Sequence, residues 1–352
     1  MHYNKGESRT FLYLTGMESE AVTVKLGFIG TGGIAQHHLK NLVRMEGVEL
    51  VSFYDVDRQR AEKAASEHAG AKAYSDLDDL LDGGALDGVY VCVPPLAHGD
   101  AERKLIERGI PFLVEKPLGI DRDVPADIAA KVKEKKLLTS VGYHWRYDES
   151  ASRAKRLLAD RTAGMALGYW MGGMPMVPWW RKQAGSGGQF VEQTTHIVDL
   201  LRYLCGEVRE VYAAYSLRVM GEKVEGTDVP DVGTVTLKLA NGMVATISNT
   251  CMLPIGHHVG LDVYTDNGVL ELRSNALREL TSEGTRTYPN EANPYYLEDE
   301  AFVHALRTGD SSRIRSDYED SLRTHEVTIA ANESAASGTP VSLEARIGEE
   351  IA

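Results

Sequence analysis

Val24-Lys25-Leu26-Gly27-Phe28-Ile29-Gly30-Thr31-Gly32-Gly33-Ile34-Ala35 reads as a short buried strand, a glycine turn and the first turn of an amphipathic helix. Leu26, Phe28 and Ile29 supply the strand, and Leu39, Leu42 and Val43 then recur at helical spacing, so the apolar period changes across the turn. Gly30 permits the tight turn. Gly32, followed by Gly33 and Ile34, lets backbone approach a pyrophosphate resting on the helix N-terminus. Ala35 is the third small position, where helix and strand pack closely. The next strand, 48–54, ends at Asp55, about 20 residues past the fingerprint, where a carboxylate can accept hydrogen bonds from adenosine ribose hydroxyls. These features together predict a dinucleotide site. Asp55 favours NAD by repelling a 2′-phosphate, while Arg58 nearby keeps NADP possible.

A chain of 352 residues suggests about two domains. With 43% apolar and 25% charged residues, its composition is that of an ordinary soluble globular protein. The formal charge of −13 opposes binding to nucleic acid or to an anionic membrane. No run of about 18 apolar residues exists, so no transmembrane helix is expected. Residues 1–23 read as an N-terminal extension. Its apolar patch Phe11-Leu12-Tyr13-Leu14 is too short for a signal-peptide core, and Met17 lies close before the first strand. Cys92, Cys205 and Cys251 are scattered and form no metal-type pair, as expected of buried thiols in a reducing cytoplasm.

From 24 to 142 the apolar runs alternate with helical patterns, which predicts an α/β Rossmann domain with a doubly wound parallel sheet. From 143 to 352 the pattern changes. Helical stretches at 149–159, 189–204, 297–307 and 318–337 surround alternating runs at 208–219, 232–240, 242–251, 258–265 and 268–273. Asn241-Gly242 and Asn267-Gly268 mark hairpin turns, so the C-terminal part reads as an α+β domain with a mostly antiparallel sheet. This second domain is expected to carry the substrate and oligomer contacts.

Ligands of open α/β sheets bind beyond the carboxyl ends of the strands. Three predicted strand ends are informative: Pro94-Pro95 with His98, Glu115-Lys116-Pro117, and Tyr143-His144-Trp145-Arg146. Lys116 is a candidate for substrate contact. Pro94 and Pro95 terminate a strand and could shape a nicotinamide pocket, and His98 opens a helix. A second cluster is Glu192, His196 and Asp199 on one predicted helical face. His196 is suited to accept a hydroxyl proton, with Glu192 orienting its ring. Asp199 could support His196 from the other side or pair with Arg202. Two helical turns separate Glu192 from Asp199, too far for one ion, so no metal site is expected.

These residues, in this order and spacing, resemble the glucose–fructose oxidoreductase / inositol dehydrogenase (Gfo/Idh/MocA) family of NAD(P)-dependent sugar oxidoreductases from about residue 24 onward. The carriers are the Gly30-Thr31-Gly32-Gly33-Ile34-Ala35 turn, Tyr54-Asp55, Pro94-Pro95 with His98, and Glu115-Lys116-Pro117. They continue with 142–147, Trp180-Arg181, Gly187-Gly188, the Glu192–His196–Asp199 segment and Gly206. The resemblance implies that Lys116 is the catalytic or substrate-anchoring lysine and that His196 touches the reacting hydroxyl. It implies that Glu115 meets the nicotinamide ribose, that Pro94 and His98 flank the cofactor, and that Trp180-Arg181 close over it. It also implies a homo-oligomer, a dimer or tetramer paired through the antiparallel sheet. One departure is Glu192, where many members carry Asp. The implied reaction moves hydride between a secondary alcohol of a sugar, cyclitol or sugar derivative and NAD(P). The alternatives are a non-catalytic sugar sensor and NAD-assisted glycoside cleavage.

Overall fold

The computed structural model describes residues 23–343; the expectation for the N-terminal extension falls almost wholly outside them. The first sheet is built from β1 (Val24–Ile29), β2 (Val48–Tyr54), β3 (Lys72–Tyr74), β4 (Gly88–Val91), β5 (Phe112–Val114) and β6 (Thr139–Val141). Between them run α1 (Gly33–Leu42), α2 (Arg58–Ser66), α3 (Leu77–Asp82), α4 (Asp100–Arg108) and α5 (Asp123–Lys135). All pairs are parallel in the order β3-β2-β1-β4-β5-β6, so the strand order reverses between β1 and β4. In open sheets of this kind, ligands bind outside the carboxyl ends at such a reversal. Aromatic stacking knits the centre: Phe28 lies 5.8 Å from Phe53 and 4.8 Å from Tyr90 between ring centroids. Val43, expected on the apolar helix face, instead caps α1 and is exposed.

The second half contains α6 (Glu149–Leu158), β7 (Ala163–Met171), α7 (Gln183–Ser186), α8 (Gln189–Glu192) and α9 (Thr195–Cys205). Next come β8 (Val208–Ser216), α10 (Met220–Lys223), β9 (Val232–Leu239), β10 (Val244–Thr250), β11 (Val259–Thr265) and β12 (Gly268–Leu272). The series ends with β13 (Ala276–Thr281), β14 (Gly284–Pro289), α11 (Pro294–Thr308), α12 (Tyr318–Ser337) and β15 (Val341–Ser342). Nine strands pair in the order β14-β13-β12-β11-β7-β10-β9-β8-β15, antiparallel except β7 with β10. The β13–β14 hairpin is absent from the sequence reading, because β14 lies largely exposed and shows no apolar alternation to detect.

Ile197, Leu200 and Leu201 of α9 and Val327, Ala330 and Ala331 of α12 cover one face of this sheet. On the other face Val244 and Met165 sit side by side across β10 and β7, both largely exposed. The helix expected over 189–204 is two helices. At the junction Thr194 N–H donates to the Gln189 carbonyl, five residues back, and Ile197 N–H to the Thr194 carbonyl, three back. This local unwinding removes the regular four-residue spacing between Glu192 and His196. α11 returns to the first sheet, where Phe302 and Val303 pack with Leu39, Leu42 and Tyr90. Among the described residues no helix is long and apolar enough to cross a membrane.

Candidate active site

The glycine turn links β1 to α1. Gly30 has φ +86°, and a Cβ there would lie 2.3 Å from the Cys92 carbonyl oxygen, so only glycine fits. At Gly32 and Gly33 a Cβ would meet nothing within 4 Å, which leaves an open cradle. Among the described residues no side chain caps α1, and its first turn holds no acid, so its amide donors are available to an anion. Ile34 packs beside this turn against the β1–β2 core. Asp55 at the end of β2 is buried. One carboxylate oxygen accepts from Thr31 N–H and Oγ1 at 2.9 and 3.0 Å, the other from Asp57 N–H at 2.9 Å. A carboxylate offers about four acceptor sites, so Asp55 pins the turn and keeps capacity for a ribose hydroxyl. Arg58 is occupied by Glu62 at 2.7 Å on the exposed face of α2. Open cradle, uncapped helix and carboxylate together fit a dinucleotide.

Lys116 follows β5. Its Nζ donates to the Glu192 carbonyl at 2.9 Å and to Glu192 Oε1 at 3.0 Å. The second Glu192 oxygen accepts from Trp180 Nε1 at 2.6 Å. Glu192 therefore anchors Lys116 and not, as expected from helical spacing, the ring of His196; the unwound turn points it elsewhere. Trp180 is buried against Met174, Val229 and Cys251, so its ring belongs to this small core and its N–H to Glu192. Arg181 donates to the Met176 carbonyl at 2.9 Å within the same loop. α7 at the end of that loop packs on the turn Pro95–Ala97 after β4, next to Pro94.

His196 is buried among aromatic rings: His144 at 4.8 Å, Trp170 at 5.8 Å, Tyr143 at 6.1 Å and Trp145 at 6.5 Å between centroids. Its Nδ1 is buried without a partner among the described residues. Burial, then the Lys116 cation and His144, hold its pKa well below the ordinary value, so the ring is neutral near pH 7. His144 is likewise pushed down to about 3, mainly by burial. Asp199 supports neither His196 nor Arg202. It accepts two bonds from Arg146 at 2.6 and 2.8 Å and one from Thr324 at 2.8 Å, while Arg202 turns to Glu207 at 2.8 and 2.9 Å. Met171, Tyr169 and His258 line an opening of about 480 Å³, but Tyr169 alternates with Trp170 along β7 and faces the other side of the sheet from His196.

His98 is turned into the start of α4, with Nδ1 2.6 Å from Glu102 Oε1, and Glu102 also accepts from Gly99 N–H at 2.7 Å. Glu115 is buried, held 3.0 Å from His38 Nε2. Sequence reading missed His38, Tyr295, Glu298 and Asp299, which pack in the interior around Glu115 and His144. Tyr295 stacks on His144 at 3.8 Å and lies beside His37 and His38. Adjacent histidines on the dinucleotide helix were a visible signal. Their acidic partners on α11, 261 residues away for Asp299, were not. Among the described residues one triplet, His38, Glu115 and Glu298, brings ligand-type atoms within 4.8 Å of one another; Glu192 and Asp199 do not converge.

Residues 24–143 match the model of the oxidoreductase family with an NAD-binding Rossmann fold, and residues 143–271 match the GFO/IDH/MocA C-terminal domain. The scyllo-inositol 2-dehydrogenase (NAD(+)) of Bacillus subtilis is 27% identical over 340 residues, covering 92% of this chain and 97% of that protein. The structure of GenD2 from gentamicin A biosynthesis in complex with NAD superposes with a TM-score of 0.80 at 23% identity, covering 93% of this chain and 98% of that one. The WlbA dehydrogenase from Bordetella pertussis in complex with NADH and UDP-GlcNAcA gives 0.80 at 19%, covering 92% and 98%. Both solved structures share the two-sheet fold. The chain belongs to the Gfo/Idh/MocA family of NAD-binding oxidoreductases and is an NAD-dependent dehydrogenase.

Proposed function

We propose that this protein oxidises, reversibly, a secondary alcohol of a polyol, cyclitol or sugar, with Lys116 and His196 as the chemical groups. The observation that carries this reading is a fixed cation beside a histidine that burial keeps neutral. A carbinol carbon releases hydride readily only as its hydroxyl loses a proton, so the site must accept that proton and stabilise a developing alkoxide. Neutral His196 is free to accept that proton, its Nδ1 having no partner among the described residues. Lys116, aimed by the Glu192 carboxylate and carbonyl, supplies a positioned charge without reorganising during the reaction. Trp170 and Trp145 lie against His196 and hold its ring among apolar surfaces.

The Gly30–Ile34 turn and Asp55 would hold the cofactor's phosphates and adenosine ribose, with Glu115, Pro94 and the Trp180-Arg181 loop on the nicotinamide side. A bound nicotinamide supplies the hydride acceptor. The inositol dehydrogenase relative places cyclitols first among compounds to test. The test is a panel of cyclitols, sugars and sugar derivatives with NAD and NADP, followed by absorbance of the reduced cofactor. Steady accumulation supports a plain dehydrogenase. Substrate cleavage without accumulation would replace it with NAD-assisted glycoside cleavage. NAD binding with no turnover of any compound would replace it with a sensor.

The outer sheet face supports a homo-oligomer as part of the same reading, since Val244, Met165 and Tyr212 expose apolar area there. Light scattering at micromolar concentration tests it, and a monomeric mass would remove it.

A further inference from the structure

Four ionisable side chains from three separate elements meet in the interior behind Lys116. His38 on α1 is fully buried. Its Nδ1 lies 2.6 Å from Asp299 Oδ1 on α11, and its Nε2 lies 3.0 Å from Glu115 Oε1 after β5. The other Asp299 oxygen accepts from Asn41 Nδ2 at 2.8 Å, and the other Glu115 oxygen accepts from Lys116 N–H at 3.1 Å. The run Asn41–Asp299–His38–Glu115–Lys116 is thus one continuous hydrogen-bonded chain. Gly142 makes room for it: a Cβ there would fall 2.7 Å from the Glu115 carboxylate. Glu298, next to Asp299, is fully buried, and neither of its carboxylate oxygens has a partner among the described residues.

The protonation of this cluster follows from its geometry. An imidazole flanked by an ionised carboxylate on each nitrogen satisfies both only when both nitrogens carry a proton. Three ionised carboxylates around one imidazolium would leave two uncompensated negative charges away from water, at several kcal/mol per ion. Glu298 receives no donor among the described residues, so it is the group that takes up a proton. Burial alone would push His38 down, but Asp299 and Glu115 outweigh it and hold its pKa well above the ordinary value. Burial, then the Glu115 charge, drives Glu298 up. Tyr90, Cys92 and Tyr295 also face the cluster and are themselves raised, so they stay neutral and add no charge.

We propose that His38 is a positioning residue: an imidazolium clamped by Asp299, it aims the Glu115 carboxylate and with it the Lys116 backbone, while Glu298 stands beside it as an uncharged acid. The proposal rests on cofactor binding at the glycine turn, which NADH binding by the unaltered protein tests separately, and it does not depend on the substrate.

The test combines nitrogen-15 spectra of the histidine rings with NADH binding. In the unaltered protein one ring should remain doubly protonated above about pH 7, where a free histidine is neutral. That signal should vanish in His38→Gln. His38→Gln and Asp299→Asn should each weaken NADH binding at least about tenfold, the second without any contact to cofactor. Gly142→Ala should weaken binding by pushing Glu115 aside while the doubly protonated ring persists, and it serves if His38→Gln fails to fold. Glu298→Gln, an isostere of the neutral acid, should melt close to the unaltered protein. Four results would each overturn the proposal. They are a His38 ring that titrates as neutral, a folded His38→Gln with unchanged NADH affinity, a steep loss of melting temperature in Glu298→Gln, and one equivalent of tightly held divalent metal that disappears with His38.

Discussion

His38 and His196 are both sealed from solvent, 0% and 5% exposed, and their surroundings push them to opposite charge states. Burial lowers the pKa of each. Around His38 two carboxylates reverse that effect; around His196 a cation and a second imidazole reinforce it. The lesson is that burial sets the cost of charge while the nearest partners decide its sign. The division suits the proposed chemistry, in which the neutral ring takes a proton and the charged ring holds the scaffold behind it.

The largest expected effect sharpens the chemical side of the comparison. Lys116→Ala and His196→Ala should each lower turnover by about a hundred- to ten-thousand-fold, the usual loss for a positioned acid–base group. NAD affinity should survive, because the glycine turn and Asp55 are untouched. Turnover and NAD affinity of both variants decide this, and near-normal turnover in either removes that residue from the chemistry.

Next in size is cofactor choice. A 2′-phosphate would face the Asp55 carboxylate at a cost of several kcal/mol, with Arg58 engaged by Glu62. Catalytic efficiency with NADP should therefore be lower by about a hundredfold or more. Equal efficiency with the two cofactors would break this reading of Asp55.

Glu192→Gln separates the two partners that sequence and structure assign to Glu192. The amide can still accept from Trp180, but Lys116 loses its counter-charge, a charge-assisted bond of about 1.5–3 kcal/mol. Catalytic efficiency should fall by about tenfold or somewhat more, with no displacement of the pH dependence that belongs to His196. A displaced profile would restore Glu192 as the partner of His196.

The smallest effect is on pH. With His196 already neutral, oxidation should be nearly flat between about pH 7 and 8, its decline lying below the ordinary histidine value. The two histidines should also mark stability with opposite signs. The depressed His196 and His144 contribute stability present above about pH 6.5 and lost as pH falls toward their folded values, about 3 for His144. The raised His38 contributes stability fully present below about pH 6.5 and lost as pH rises through its folded value. Melting curves across pH should lose the alkaline limb in His38→Gln and part of the acid limb in His196→Ala.

The turn from Gly30 to Ala35, the strand at 48–54 and the helix at 318–337 were readable because each depends on consecutive residues whose spacing sets the element. The ends of β4, β5 and β6 were readable for the same reason, and with them Lys116 as a cleft residue. Spacing failed at 193–194. There the helix unwinds by one residue, so an inferred Glu192–His196 face became a Glu192–Lys116 pair. For Trp180 the resemblance implied closure over a cofactor, a role that spacing does not encode; its ring packs in a small core with Met174, Val229 and Cys251.

By itself the sequence determined the two sheets and the dinucleotide turn, because apolar periodicity and turn chemistry act over a few residues, and it put Lys116 and His196 forward as candidates. Only the tertiary structure decided which charge meets which. Asp199 goes to Arg146, His38 reaches α11, and Glu298 is buried with no donor among the described residues, because ionisable groups respond to neighbours in space and chain folding brings those neighbours from far along the sequence.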